Sequence, residues 1–259
     1  MSTGFTSPLL HSGVGLSKPY EYRAKTGMVP SAEWMVFMDD FITTFIPTTA
    51  ITNGPVANTP SNWQGAIIDT GATVAVNTTA AIGANGVLTL ADATASEGAA
   101  FYGQKTIQLT AGKKLWMEVR LRTDDVTDNN VYFGLSSLTA TSNPEDLYNS
   151  VSDTLVAFGI ADGGSGFTSM VADKSNAGPT TDTATVNALT ADTWHILAIY
   201  YDGTNMYGYV NGQKVIGPFS ATAKIPAGVA VAPFVSHVNG DGAGGAVVVV
   251  DYVRIVSER

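Results

Sequence analysis

The segment Leu115-Trp116-Met117-Glu118-Val119-Arg120-Leu121-Arg122 alternates in character. As a β-strand it places Glu118, Arg120 and Arg122 on one face. Hydrolysis of a glycosidic bond takes two carboxylates, one as acid and one as nucleophile or base. This face offers one acid and two bases, which counts heavily against retaining hydrolysis. An elimination, with arginine neutralising a uronate and another residue as base, is the chemistry left open; a polar face laced by ion pairs is the plainer reading. Gly240-Asp241-Gly242-Ala243-Gly244-Gly245 fits Gly-x-Gly-x-x-Gly. A strand follows it instead of the helix whose N-terminus would bind a pyrophosphate, so it reads as a loop. His11, His195 and His237 are not spaced as metal ligands, and with no cysteine there is neither a thiolate site nor a disulfide. Asp124, Asp125 and Asp128 with Asn129 and Asn130 could hold calcium through oxygens, although exposed loops commonly have this composition. No Ser-His-Asp or Cys-His arrangement is legible. The expectation is no catalytic residue, no metal and no cofactor. For a glycan, the candidate aromatics are Trp63, Tyr132, Tyr207 and Tyr209. Each must be exposed to serve, whereas most large aromatics are core.

Strands must carry these side chains. Strand-like runs cover 65–69, 72–76, 87–90, 99–102, 104–109, 114–122, 154–160, 167–171, 183–186, 229–238 and 246–256, with turn signals between them. Many short strands at this spacing mark an all-β sandwich. One helix is marked, where Asn143 can cap Pro144-Glu145-Asp146-Leu147-Tyr148. Ile196–Tyr201 and Val247–Val250 are apolar at every position, so both faces need cover, from a long loop or another subunit.

The stretch Asp192–Val215 holds two strands joined at Asp202-Gly203 and a further turn at Asn211-Gly212, both dipeptides that tolerate positive φ. Its spacing, Trp194-x-x-x-Ala198-x-x-Tyr201-Asp202-Gly203-Thr204 followed by Tyr209-Val210-Asn211-Gly212, resembles the laminin-G and concanavalin A-like lectin/glucanase superfamily. Phe37-Met38-Asp39-Asp40-Phe41 looks like the opening strand of such domains, and Val247–Val256 like the closing strand that pairs with it at one edge. The resemblance implies an antiparallel two-sheet jelly-roll over residues 34–259, with residues 1–33 as an extended N-terminal arm. Glucanases of this fold carry Glu-x-Asp-x-x-Glu on one strand, and the Glu118 segment departs from that pattern. The fold also hosts lectins, adhesion modules and virion proteins.

Charged residues make up 14% of the 259 and apolar ones 45%, enough for a sizeable core. A net charge of −9 speaks against nucleic acid or an anionic membrane as partner. No signal-peptide pattern opens the chain and no apolar run is long enough to span a bilayer, so a soluble, non-secreted product made in the cytoplasm is expected. Residues 1–30 differ from the rest: Lys18, Arg23 and Lys25 oppose Glu21, a net of +2 that leaves −11 for the remainder. Phe5, Leu9, Leu10, Leu16, Tyr20 and Tyr22 make this stretch too apolar for a mere solvated tail, and it reads as an arm that orders on a neighbouring subunit. Composition and arm together resemble tailed-bacteriophage structural proteins. The expected function is a non-enzymatic capsid decoration or cement subunit on the virion surface, a homo-oligomer that binds the major capsid protein through this arm. The alternatives are a carbohydrate-binding module or fibre adhesin, and then a polysaccharide-cleaving enzyme.

Overall fold

At Asn211 and Gly212 the backbone takes φ of 48° and 82°, the two positive values that a type I′ hairpin requires. This turn joins β13 (Asn205–Val210) to β14 (Gln213–Ser220). Before it, β12 (His195–Tyr201) enters β13 through the Asp202-Gly203 turn, with Gly203 at φ 97°. Asp202 Oδ1 closes that turn by accepting from the N–H groups of Thr204 (2.8 Å) and Asn205 (2.7 Å). The Asp192–Val215 stretch therefore folds as its turn residues dictate.

The computed structural model describes residues 34–39, 63–68, 72–77, 87–92, 98–126, 129–137, 155–160, 167–172, 180–184, 189–220, 229–240 and 245–258. These form two antiparallel sheets. The first runs β14, β13, β12, β7 (Leu115–Thr123), β16 (Val247–Glu258), β4 (Val87–Ala91), β3 (Thr73–Asn77), with β1 (Trp34–Asp39) also paired to β16. The second runs β11 (Thr180–Ala184), β10 (Phe167–Ala172), β9 (Leu155–Ile160), β8 (Asn129–Ser136), β15 (Ala230–Asn239), β5 (Gly98–Gly103), β2 (Trp63–Ile68), with β6 (Ile107–Gln108) also on β15. Among the described residues there is no helix long and apolar enough to cross a membrane.

Alternation sorts the side chains between the sheets. Leu115, Met117, Val119 and Leu121 of β7 meet Val131, Phe133 and Leu135 of β8 in one buried cluster. Each such side chain contributes roughly 1.5–3 kcal/mol by leaving water. A bulge between Val250 and Tyr252 shifts the register of β16 by one residue. Val248 and Val250 before it, and Val253 and Ile255 after it, therefore all face the core.

The opening and closing strands do pair, over the whole of β1 from Trp34↔Glu258 to Asp39↔Val253. Among the described residues β1 has no second partner, so it borders the sheet where the two meet, while β16 itself lies inside, with β7 on one flank and β1 and β4 sharing the other. Two strands escape the sequence reading, β8 and β14, and β11 begins three residues before its expected start. The helix expected at 143–148 and the arm at 1–33 lie outside the described residues.

Candidate functional site

The outward face of the first sheet gathers the chemistry-bearing side chains in rows across its strands. Strand pairing puts Val256, Trp116, Tyr200 and Tyr207 in one row, then Arg254, Glu118, Ala198, Tyr209 and Lys214, then Tyr252, Arg120 and Ile196. The first row and Tyr209 form an aromatic layer. Trp116 lies 6.2 Å from Tyr200 and 5.4 Å from Tyr209, and Tyr200 stacks on Tyr207 at 6.0 Å. The cover expected for the outward side of β12 is thus supplied in part by aromatics of its own sheet, where Trp116, Ala198, Tyr200, Tyr209 and Val256 pack together. Burial pushes the hydroxyls of Tyr200 and Tyr209 up to about 12.

Glu118 is 1% exposed in the middle of this face. Trp116 Nε1 donates to its Oε2 at 2.8 Å, the Tyr252 hydroxyl donates to Oε1 at 3.3 Å, and Arg254 Nη1 stands 3.7 Å from Oε1. Beside it, Arg120 Nη1 binds Asp251 Oδ2 at 2.5 Å and lies over the Trp194 ring at 4.6 Å. Arg122 flanks the same ring and approaches Asp192 at 3.9 Å. Each carboxylate here is matched to an arginine, so the face is laced by ion pairs. Arg254 and Asp251, which complete the lacing, went unread in the sequence because the bulge that turns both toward β7 leaves no local signal.

The four glycan candidates do not form one surface. Trp63 points inward at 1% exposure, edge-on to Phe101 at 4.8 Å, because β2 needs a large side chain between the sheets. It offers a sugar no ring face. Tyr132 sits on the outward face of the second sheet, yet only 3% exposed, with burial pushing its hydroxyl well above the usual phenol range. Tyr209 is 7% exposed. Tyr207 alone of the four keeps substantial access, its hydroxyl donating to Asp202 Oδ2 at 3.0 Å and Lys214 Nζ 5.6 Å from its ring centroid. The arm residues Phe5, Leu9, Leu10, Leu16, Lys18, Tyr20, Tyr22, Arg23 and Lys25 lie outside the described residues.

A second polar cluster is sealed at one end of the sandwich. His237, 0% exposed, pairs through Nε2 with Asp92 Oδ2 and through Nδ1 with Asn129 Oδ1. The hydrogen bonds have a fixed direction. The Thr123 hydroxyl donates to Asp125 O (2.8 Å), so it accepts from Asn129 Nδ2 (2.9 Å), which leaves Asn129 Oδ1 to face the ring. Asp92 Oδ1 accepts from Ala246 N (2.8 Å) and Asn239 Nδ2 (3.2 Å). Asn129 thus faces the core and not a calcium loop. Asp124 Oδ1 is taken by the Val247 N–H at 2.7 Å, and Asp128 lies outside the described residues. Among the described residues no group of three His, Cys, Asp or Glu side chains is placed to hold a metal.

No family model matches the sequence, and no curated protein matches it. Solved structures do. A protein of unknown function from Shewanella oneidensis superposes with a TM-score of 0.57 at 12% identity, over 94% of this chain and 95% of that one. The carbohydrate recognition domain of Emp47p gives 0.57 at 14%, over 88% and 98%. Peanut lectin gives 0.52 at 11%, over 87% and 98%. Identities this low speak to architecture alone. The chain has the concanavalin A-like jelly-roll fold, all-β, in two antiparallel sheets.

Proposed function

We propose that this protein is a non-enzymatic structural subunit of a bacteriophage virion, decorating the capsid surface and gripping the major capsid protein through residues 1–33. The charge asymmetry of the chain carries this reading: a basic, apolar leader on a strongly acidic remainder. The way the leader is rooted supports it. β1 begins at Trp34 and pairs along all six of its residues with β16, a strand inside the sheet. Tension on the arm would pull β1 along its own axis and load that ladder in shear, with every pair resisting together. The acid-neutralising arginines around Glu118 and Asp251 support the non-enzymatic part, because neither carboxylate is left to act as a free acid or base.

The test uses the full chain with Leu9, Leu10 and Leu16 changed to Ser and Lys18, Arg23 and Lys25 changed to Glu. On this reading the variant folds as the parent does but is lost from particles, where the parent co-purifies in stoichiometric copy number. Retention of the variant on particles would overturn it.

A second reading, glycan binding, has one observation in its favour. Tyr207 and Lys214 form an accessible aromatic–cation pair beside Asp202, on a fold shared with peanut lectin and a carbohydrate recognition domain. Binding on a glycan array that disappears with Tyr207→Ala would favour it over the arm-anchored subunit.

A further inference from the structure

The hairpin turn at Asn211 carries a mismatch in hydrogen bonding. The Thr190 N–H donates to His195 Nε2 at 3.1 Å, so Nε2 holds a lone pair and the proton of the neutral ring sits on Nδ1. Nδ1 in turn faces Asn211 Nδ2 at 3.3 Å. The amide is turned this way because Asn211 Oδ1 accepts from the Ile196 N–H at 2.9 Å. A ring N–H and an amide NH₂ thus point at each other, and both are donors. Rotating the amide only moves the conflict to Ile196, whose N–H would then meet the NH₂. The position lacks a second acceptor, and a carboxylate has two.

The following residue provides a route to one. Asn211-Gly212 lies at an accessible hairpin tip, and glycine leaves its own backbone nitrogen unhindered by a side chain. We propose that Asn211 is a self-modification site, converted to aspartate by deamidation in the folded protein, which gives His195 the acceptor it lacks. The Gly212 nitrogen attacks Asn211 Cγ and gives up its proton, closing a five-membered imide. The Cγ–Nδ2 bond breaks and the nitrogen leaves, protonated, as ammonia. Water then adds to the imide at Cγ and reopens the ring, so one water is consumed and one ammonia released, with no change in oxidation state. Opening at the other carbonyl gives isoaspartate, which adds a carbon to the main chain and spoils the two-residue turn that Asn211 N–H anchors on Ile196 O at 2.7 Å. The fold therefore selects the ordinary aspartate. Asn239-Gly240 has the same dipeptide in the opposite setting: Asn239 is 2% exposed and its amide donates to Asp92. It stays asparagine.

Peptide mapping by mass spectrometry after prolonged incubation of the full chain at neutral pH tests this. The expected result is amide-to-acid conversion at residue 211, mostly to α-linked aspartate, with Asn239 intact. Independently, Asn211→Asp should raise Tm by about 2 °C, the shift expected for somewhat under 1 kcal/mol in a chain of this size, and His195→Gln should abolish that gain. Intact Asn211 in an incubated sample, mainly isoaspartate there, a lowered Tm for Asn211→Asp, or a gain that survives His195→Gln would each overturn the proposal.

Discussion

Two histidines of the same sequence character meet opposite surroundings. His195 is met by donors, the Thr190 N–H at Nε2 and the Asn211 amide at Nδ1; His237 is met by oxygens on both sides. Burial holds the His195 ring below its ordinary 6.5, and the bond from Thr190 can be accepted only by an unprotonated nitrogen. The consequence for stability has a definite sign. Between the lowered folded value and about 6.5 the unfolded chain binds a proton that the folded chain refuses, so stability rises with pH. The contribution is complete above about 6.5 and is lost as pH falls below that through the folded value. Thermal unfolding from pH 8 to pH 5 should show Tm falling more steeply for the parent than for His195→Gln. Equal slopes would show that the ring's surroundings do not matter. The environment of His237 was not legible in the sequence, because Asn129 stands 108 residues away along the chain and Asp92 farther still; that of His195 is set nearby, by the way the turns holding Thr190 and Asn211 fold against β12.

At the scale of the strands, the period-2 pattern was enough to place most elements, and the turn dipeptides fixed the β12–β13–β14 meander. The pattern fails where both faces are buried. Every residue of β8 except Asn130 is buried, so Val131-Tyr132-Phe133-Gly134-Leu135 shows no alternation to find. Its outward glycine, Gly134, and Gly159 across the β8–β9 ladder are explained only by the pairing. A Cβ at either would come within 1.8 Å of a carbonyl oxygen of the neighbouring strand, Val131 O in the case of Gly159. Backbone cannot retreat there, since Val131 and Gly159's partner Tyr132 are tied into β15 as well. Gly159→Ala should therefore cost about 1–3 kcal/mol, the usual range for overpacking, read as a lower denaturant midpoint. An unchanged midpoint would mean that the two strands can separate locally without loss.

Over the whole molecule, the sandwich is held by two kinds of contact with different failure modes. The apolar layer between the sheets is broad, spread over residues of nearly every described strand. The sealed cluster at one end is narrow: it links the end of β4 and the start of β16 in the first sheet, through Asp92 and Ala246, to β15 and β8 in the second, through His237, Asn239 and Asn129. Removing one member strands the others. Asp92→Ala removes the acceptor that Asp92 offers to a buried ring nitrogen, the Asn239 amide and the Ala246 N–H, and a buried donor left unsatisfied costs about 1–3 kcal/mol. Taking His237 away as well removes the group that Asp92 had balanced, so Asp92→Ala with His237→Leu should be less destabilised than the two single costs added together. Chemical denaturation of the four proteins measures this, with an unchanged m-value reporting that the same surface is exposed in each. Strict additivity would mean that the two sheets are held by apolar burial alone and that the polar cluster merely fills the space at their end.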